Sequence, residues 1–235
     1  PTIEMFLHRI PGLAEHFIYA NDDMFPLSPL KREDFFREPC SETAMNGGEP
    51  QSETLRNGGK GGLLPCQQWR EEPFPVKPNV FQRKCIEQLN MVGGYYGKHF
   101  RRTWLKSEHS FMPLLKSSCV EVHQRHWAEI VKYLSPLKRT EHSYNHYIYA
   151  LYQHFEGIEV DAGPRQQYVG RKARTDDVAR IIRDENAGIV CLNDNELIDD
   201  WARRAEIVRE EIEKRLLQSE KLRSEERFSR NAETD

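Results

Sequence analysis

Two short apolar runs constrain this chain most: His16-Phe17-Ile18-Tyr19-Ala20 and Gly188-Ile189-Val190-Cys191-Leu192. Runs this short, rich in β-branched and aromatic residues, read as buried strands. The first passes straight into Asn21-Asp22-Asp23-Met24 and the second into Asn193-Asp194-Asn195. Around them, apolar residues recur at helical spacing. Strands interspersed with helices imply an α/β fold, here a small central sheet with many surrounding helices and a long C-terminal helix. Ligands gather at the carboxyl ends of strands in such sheets, so two Asn-Asp edges point to one polar cleft. Adjacent Asp residues cannot both be buried as bare anions; they require a divalent cation or strong donors. A hard cation held by carboxylates suits a phosphate-bearing substrate. The alternative is an Asx-type turn at a strand end.

Composition narrows the class. With 38% hydrophobic residues, including 11 Phe, 9 Tyr and 4 Trp, the 235 residues fit one large domain or one and a half smaller ones. A net charge of -3 gives no electrostatic case for nucleic acid. No apolar stretch approaches the roughly 20 residues of a membrane span. No signal-peptide pattern opens the chain, and Pro1-Thr2-Ile3-Glu4 reads like the interior of a longer protein. Cys40, Cys66, Cys85, Cys119 and Cys191 share no CxxC spacing. This odd, scattered set favours reduced thiols in a cytoplasmic compartment and argues against a structural zinc site.

Local patterns fill in the elements. Ile3, Phe6, Leu7 and Ile10 have helical spacing, ended by Pro11-Gly12, and Ser28-Pro29 followed by Lys31 to Phe36 reads as a short capped helix. From about Pro39 to Pro65 periodicity is lost. Asn57-Gly58-Gly59-Lys60-Gly61-Gly62 lacks the GxxxxGK[ST] spacing of a phosphate loop and reads as a surface loop or lid. Asn79 caps a helix carrying Phe81, Cys85, Leu89 and Val92, stopped by Gly93-Gly94. Further helices are expected after Ser117-Ser118, from Thr140 to Gly157, and over Val178 to Arg183 behind Thr175-Asp176-Asp177. An extended segment is expected near Gln166 to Val169. The last helix, Asp199 to about Arg227, carries Trp201, Ala205, Val208, Ile212 and Leu216 on one stripe, with polar final turns. Of the paired histidines, His123 with His126 lacks a third ligand, and His142 with His146 reads as a hydrated helix face. Tyr144, Tyr147, Tyr149 and Tyr152 read as core packing.

Larger blocks resemble a known family. Ile3-Glu4-x-x-Leu7-His8-Arg9-Ile10-Pro11-Gly12-Leu13, followed by Phe17-Ile18-Tyr19-x-Asn21-Asp22-Asp23-Met24-Phe25, resembles the second conserved region of the Stealth capsular-polysaccharide phosphotransferases. These are related to the lysosomal-enzyme N-acetylglucosamine-1-phosphotransferase. His109-Ser110-Phe111-Met112-Pro113-Leu114-Leu115-Lys116, with Arg139 beyond it, resembles the third region. Ile189-Val190-Cys191-Leu192-Asn193-Asp194-Asn195 resembles the fourth.

The resemblance implies transfer of hexose-1-phosphate, or N-acetylhexosamine-1-phosphate, from a nucleotide-sugar donor to a hydroxyl of a saccharide acceptor. The product is a phosphodiester link in capsular or exopolysaccharide. By motif position, Glu4, Asp23, His109 and Arg139 stand where the family has its functional Glu, Asp, His and Arg. Asp22, Asp23 and Asp194 would hold a divalent cation, Mg²⁺ or Mn²⁺. Arg9, Asn21, Lys116 and Asn193 would bind substrate. Arg139 would take phosphate, and His109 the base role or a phosphate contact, with Glu4 the other candidate base. Residues 1–38 would then begin the catalytic domain, 39–78 form a Gly/Pro-rich flexible insertion, 79–228 complete the domain and 229–235 be a disordered tail. The expected place is the cytoplasm, including peripheral association with the inner face of the membrane.

The family's first conserved region, ending in a Tyr-Thr-Trp-Val-Asp-like motif, is missing, and a charged run replaces its closing tail. The chain therefore reads as a fragment of a competent enzyme or as a shortened relative. Two other readings stay open: a metal-dependent glycosyltransferase, and an inactive carbohydrate-binding or scaffold module.

Overall fold

The computed structural model describes residues 3–38, 62–107, 109–132, 134, 144–170, 173–193 and 201–232. The Gly58-Gly59-Lys60-Gly61 loop, Arg139, His142, Asp194 and the start expected at Thr140 lie outside the described residues. The chain divides into two compact units, one of Pro1–Tyr19, Arg32–Glu108 and Met112–Gly163, the other of Ala20–Lys31, His109–Phe111 and Pro164–Asp235.

The first unit begins with a 3-10 helix, Glu4–Arg9, and contains strands β1 (His16–Tyr19), β3 (Phe36–Arg37), β4 (Leu64–Pro65), β5 (Trp69–Pro73), β6 (Thr103–Ser107) and β7 (Met112–Leu115). Its helices are α1 (Val80–Tyr95), α2 (Lys116–Lys132) and α3 (Tyr147–Glu156). The strands form three antiparallel pairs: β1 with β7, β3 with β4, and β5 with β6.

Helix α3 is the centre of this unit. Nine of its ten residues, Tyr147 through Gln153 together with Phe155 and Glu156, are buried. A helix buried almost all round must be surrounded by protein, and its tyrosines are accordingly core residues. Two of their hydroxyls are satisfied by carbonyls: Tyr147 donates to Leu105 and Tyr149 to Met5. Gln153 does the same for strand β7, which among the described residues pairs on one side only. Its Oε1 accepts from Leu115 N at 2.9 Å and its Nε2 donates to the Pro113 carbonyl at 3.4 Å, so the buried free edge is not left unsatisfied.

Helix α1 starts as expected, in a reciprocal capping box between Asn79 and Gln82 with both bonds at 2.9 Å. It runs through Gly93-Gly94 instead of stopping there. Gly93 serves packing: a Cβ on it would lie 3.0 Å from the Phe100 ring and 3.3 Å from the Lys98 carbonyl. Helix α2 contains Ser117-Ser118 in its first turn, and its orphan N–H groups are served by Glu15, whose carboxylate accepts from Ser117 N at 3.2 Å and from the Ser117 hydroxyl. Gly157, with φ 68°, ends α3 in the left-handed conformation as expected. The capped helix expected over Lys31 to Phe36 is only a 3-10 turn, Arg32–Asp34. Buried Phe36 is drawn into β3 by its pairing with Pro65.

The second unit holds a three-stranded sheet in the order β2 (Met24–Pro26), β9 (Ile189–Leu192), β8 (Gln166–Val169). β8 and β9 are parallel, joined through helix α4 (Thr175–Arg183), and β2 runs antiparallel to β9. Leu27, Val169, Val178, Ile182, Ala187, Val190 and Leu192 form the core, with Val208 and Ile212 of helix α5 (Trp201–Ala232) packed on it. The expected stripe on α5 is narrower than its spacing suggests, since Leu216 is 57% exposed. Polar anchors replace it. Arg183 grips Glu211 through two bonds of 2.7 and 2.8 Å, and Arg215 donates to the carbonyls of Ile182 and Asp184 at the C-terminal end of α4. The chain is thus mixed α/β with a long C-terminal helix, its strands divided among small sheets of two or three.

Candidate functional site

The turn after β1 is tight. Met24 N donates to the Asn21 carbonyl at 3.3 Å, and β2 begins at once. Register then does the chemistry. Met24 stands opposite Cys191 on β9, which stands opposite Tyr168 on β8, and Leu192 N donates to the Asp23 carbonyl at 2.8 Å. The two expected Asn-terminated edges therefore meet in one place, since Asn193 follows Leu192 directly.

Three side chains of different chemistry converge at this edge. The Cys191 thiol donates to Asp23 Oδ2 at 3.4 Å, and His109 Nε2 lies 3.8 Å from the same oxygen. One ligating atom from each of Asp23, His109 and Cys191 falls within 4.8 Å of the others. Asp23 Oδ1 is buried and has no hydrogen-bond partner among the described residues. A carboxylate with one orphaned oxygen beside an imidazole and a thiol can hold a divalent cation, through Asp23 of the expected ligands and with His109 and Cys191 in place of Asp22 and Asp194. Burial pushes the Cys191 thiol up to about 12, and the neighbouring Asp23 charge adds to the shift. The Asp23 and His109 side chains keep about a third of their surface exposed, which leaves access from solvent. Tyr168, half exposed, meets the His109 ring edge-on at 5.8 Å, and its hydroxyl accepts from Asn193 Nδ2 at 2.6 Å.

Asp22 is exposed, and Asn21 is half-buried with its N–H 3.5 Å from the Met24 sulfur. In the first unit, Glu4 is gripped by His146: its Oε2 is 3.0 Å from the His146 N–H and 2.8 Å from Nδ1. Burial alone would raise the Glu4 pKa, but the bonds and charge of His146 override it and lower it to about 2. A carboxylate that acidic is a weak base at neutral pH. The His146 ring in turn stacks on Tyr19 at 4.0 Å. Arg9 is exposed, with its guanidinium over the Phe6 ring at 5.2 Å, and Lys116 Nζ donates to the Leu13 carbonyl at 3.4 Å. His123 and His126 are buried, the former bonded to the Met5 carbonyl.

Sequence reasoning did not single out Cys191, Tyr168 or His146 as partners of these groups. The thiol is brought in by cross-strand register, which no local motif encodes. His146 is matched to Glu4 across 142 residues of sequence. Tyr168 did carry a signal, an aromatic residue on the strand beside the Asn-terminated one.

No family model matches the chain. It is 25% identical over 209 residues to the exopolysaccharide phosphotransferase cps2G of Lactiplantibacillus plantarum, covering 82% of this chain and 58% of that protein. With a capsular polysaccharide phosphotransferase of Actinobacillus suis the identity is 28% over 158 residues, 66% of this chain and 37% of the relative. A shorter match of 35 residues, 65% identical, covers 15% of this chain and 10% of the capsular polysaccharide phosphotransferase LcbA of Neisseria meningitidis. The chain spans about half the length of the first of these relatives and less of the others. No helix among the described residues is long and apolar enough to cross a membrane.

Proposed function

We propose that this chain, 25–28% identical to capsular and exopolysaccharide phosphotransferases over much of its length, carries part of the active site of an enzyme that moves a sugar-1-phosphate. The donor is a nucleotide sugar and the acceptor a saccharide hydroxyl. The hydroxyl oxygen forms a bond to the phosphorus next to the sugar, the bond from that phosphorus to the nucleoside monophosphate breaks, and the hydroxyl proton passes to water. The product is a sugar phosphodiester in a capsular or exopolysaccharide chain, made at the cytoplasmic side of the membrane.

Phosphoryl transfer passes through a loose transition state whose charge sits on the phosphoryl oxygens and the leaving group, so positioning and charge stabilisation matter more than a strong base. Asp23 and His109 would hold a divalent cation, which when bound neutralises phosphate charge. By motif position alone Arg139 would take phosphate; in the second unit Asn193 Nδ2 donates to the Tyr168 hydroxyl beside His109. The observation that carries the reading is the Asp23–His109 approach at 3.8 Å beside an orphaned Asp23 oxygen. Asp23→Asn in the full-length protein is expected to lower transfer at least about 100-fold while the circular dichroism spectrum stays that of the wild type. Wild-type transfer by that variant refutes the site.

A further inference from the structure

We propose, resting on the phosphotransfer reading above, that the cation at this site is a borderline transition ion of the Zn²⁺ and Co²⁺ class, bound by Cys191 as a thiolate together with Asp23 and His109, and that Mg²⁺ binds there only weakly. The donor set is the first reason. Mg²⁺ demands oxygen ligands in near-ideal octahedral geometry, whereas carboxylate, imidazole and thiolate together select a softer ion. Spacing is the second. Metal–oxygen and metal–nitrogen bonds of about 2.0–2.2 Å and a metal–sulfur bond of about 2.3 Å, at tetrahedral angles, leave the ligand atoms roughly 3.3–3.6 Å apart. Cys191 Sγ to Asp23 Oδ2 is 3.4 Å and His109 Nε2 to Asp23 Oδ2 is 3.8 Å, close to those edges before any ion draws the ligands together. The buried, unpartnered Asp23 Oδ1 is the third. An S–H bond and an imidazole contact engage Oδ2 alone, so among the described residues the carboxylate charge is incompletely compensated, and a cation on Oδ2 would neutralise it. Three protein ligands plus an open position is also the arrangement of catalytic rather than structural sites, and the open position suits a donor phosphate oxygen. On binding, the Cys191 S–H proton leaves to the buffer and the sulfur electron pair forms the metal bond.

Cobalt tests this without reference to turnover. Titrating the metal-free full-length protein with Co²⁺ is expected to produce an intense thiolate-to-cobalt charge-transfer band with one-to-one stoichiometry. A 100-fold excess of Mg²⁺ should leave the band in place. Cys191→Ser should abolish it and weaken Co²⁺ binding at least 10-fold, while Cys66→Ser, in the other unit, should retain it. X-ray absorption on the cobalt-loaded wild type gives an answer that does not depend on any variant folding: one sulfur neighbour at about 2.3 Å with the remainder nitrogen or oxygen. Cobalt bound without sulfur, no cobalt bound, or ready displacement by Mg²⁺ would each overturn the proposal. These outcomes are separable from failure of the phosphotransfer reading: a cobalt–sulfur site in a protein that releases no nucleoside monophosphate refutes the reaction and leaves the metal site standing.

Discussion

Glu156 ties α3 to α2 and to Tyr96 at the C-terminal cap of α1, and removing its charge should be costly. Its side chain is fully buried, accepting from Arg125 Nη1 at 2.7 Å and from the Tyr96 hydroxyl at 2.6 Å. The Arg125 guanidinium, 15% exposed, also lies over the rings of Tyr95 and Tyr152 at 4.9 and 5.1 Å. Breaking a buried ion pair by deleting one partner costs about 3–5 kcal/mol, because the surviving charge is left without compensation. Glu121, whose Oε2 lies 3.5 Å from Arg125 Nε, and the two aromatic faces keep part of the stabilisation of Arg125, the faces worth about 0.5–2 kcal/mol. Glu156→Gln, which preserves shape, should therefore fall near 3 kcal/mol. For a chain of this length that lowers Tm by roughly 6–12 °C, read from a circular-dichroism melt. Replacing both partners, Arg125→Met with Glu156→Leu, should cost less than Glu156→Gln alone. A Tm loss under about 3 °C for Glu156→Gln, or a double variant worse than the single, would refute the claim that this pair is desolvated.

Two further outcomes follow from the carboxylates. Glu4 has its pKa depressed from 4.5 to about 2, so its pairing with His146 stabilises the fold fully above about pH 4.5, and that contribution fades as pH falls through 2. The most it can contribute is about 3 kcal/mol; Glu4→Gln should flatten the acid side of a stability–pH curve between about pH 5 and 2, and an unchanged slope there would show that the pairing is absent in solution. Asp22, exposed and outside the Asp23–His109–Cys191 group, should tolerate change: Asp22→Asn is expected to keep kcat/KM within about 10-fold of wild type, against the at least 100-fold loss for Asp23→Asn. Equal losses in the two variants would mean that both carboxylates hold the cation.

The outline of the second unit was legible because its signals are local. The apolar run of β9, the Gln166–Val169 strand and the polar Thr175-Asp176-Asp177 helix start between them define a β-α-β unit without long-range information. The meeting of Asn21-Asp22-Asp23 with Asn193 was legible for the same reason, each motif ending or following a strand. Its chemistry was not. That Met24 pairs with Cys191, delivering a thiol to Asp23, depends on a cross-strand register that no motif encodes, since β9 is buried on both faces and has no alternation to reveal it. Glu4 is a similar case: its sequence neighbours say nothing of His146, and burial reverses the reading of that histidine as a hydrated surface group. Gly93-Gly94 misleads in the other direction, since glycine there answers a close approach of Phe100 and not the need for a helix end.

The most direct test of sugar-phosphate transfer is the fate of the nucleotide. Incubated with a nucleotide sugar, an acceptor saccharide and a divalent transition cation, the full-length protein should release nucleoside monophosphate in step with a new sugar phosphodiester, resolved by phosphorus NMR. Release of nucleoside diphosphate with a phosphate-free glycosidic product would contradict the central claim and identify a glycosyltransferase instead.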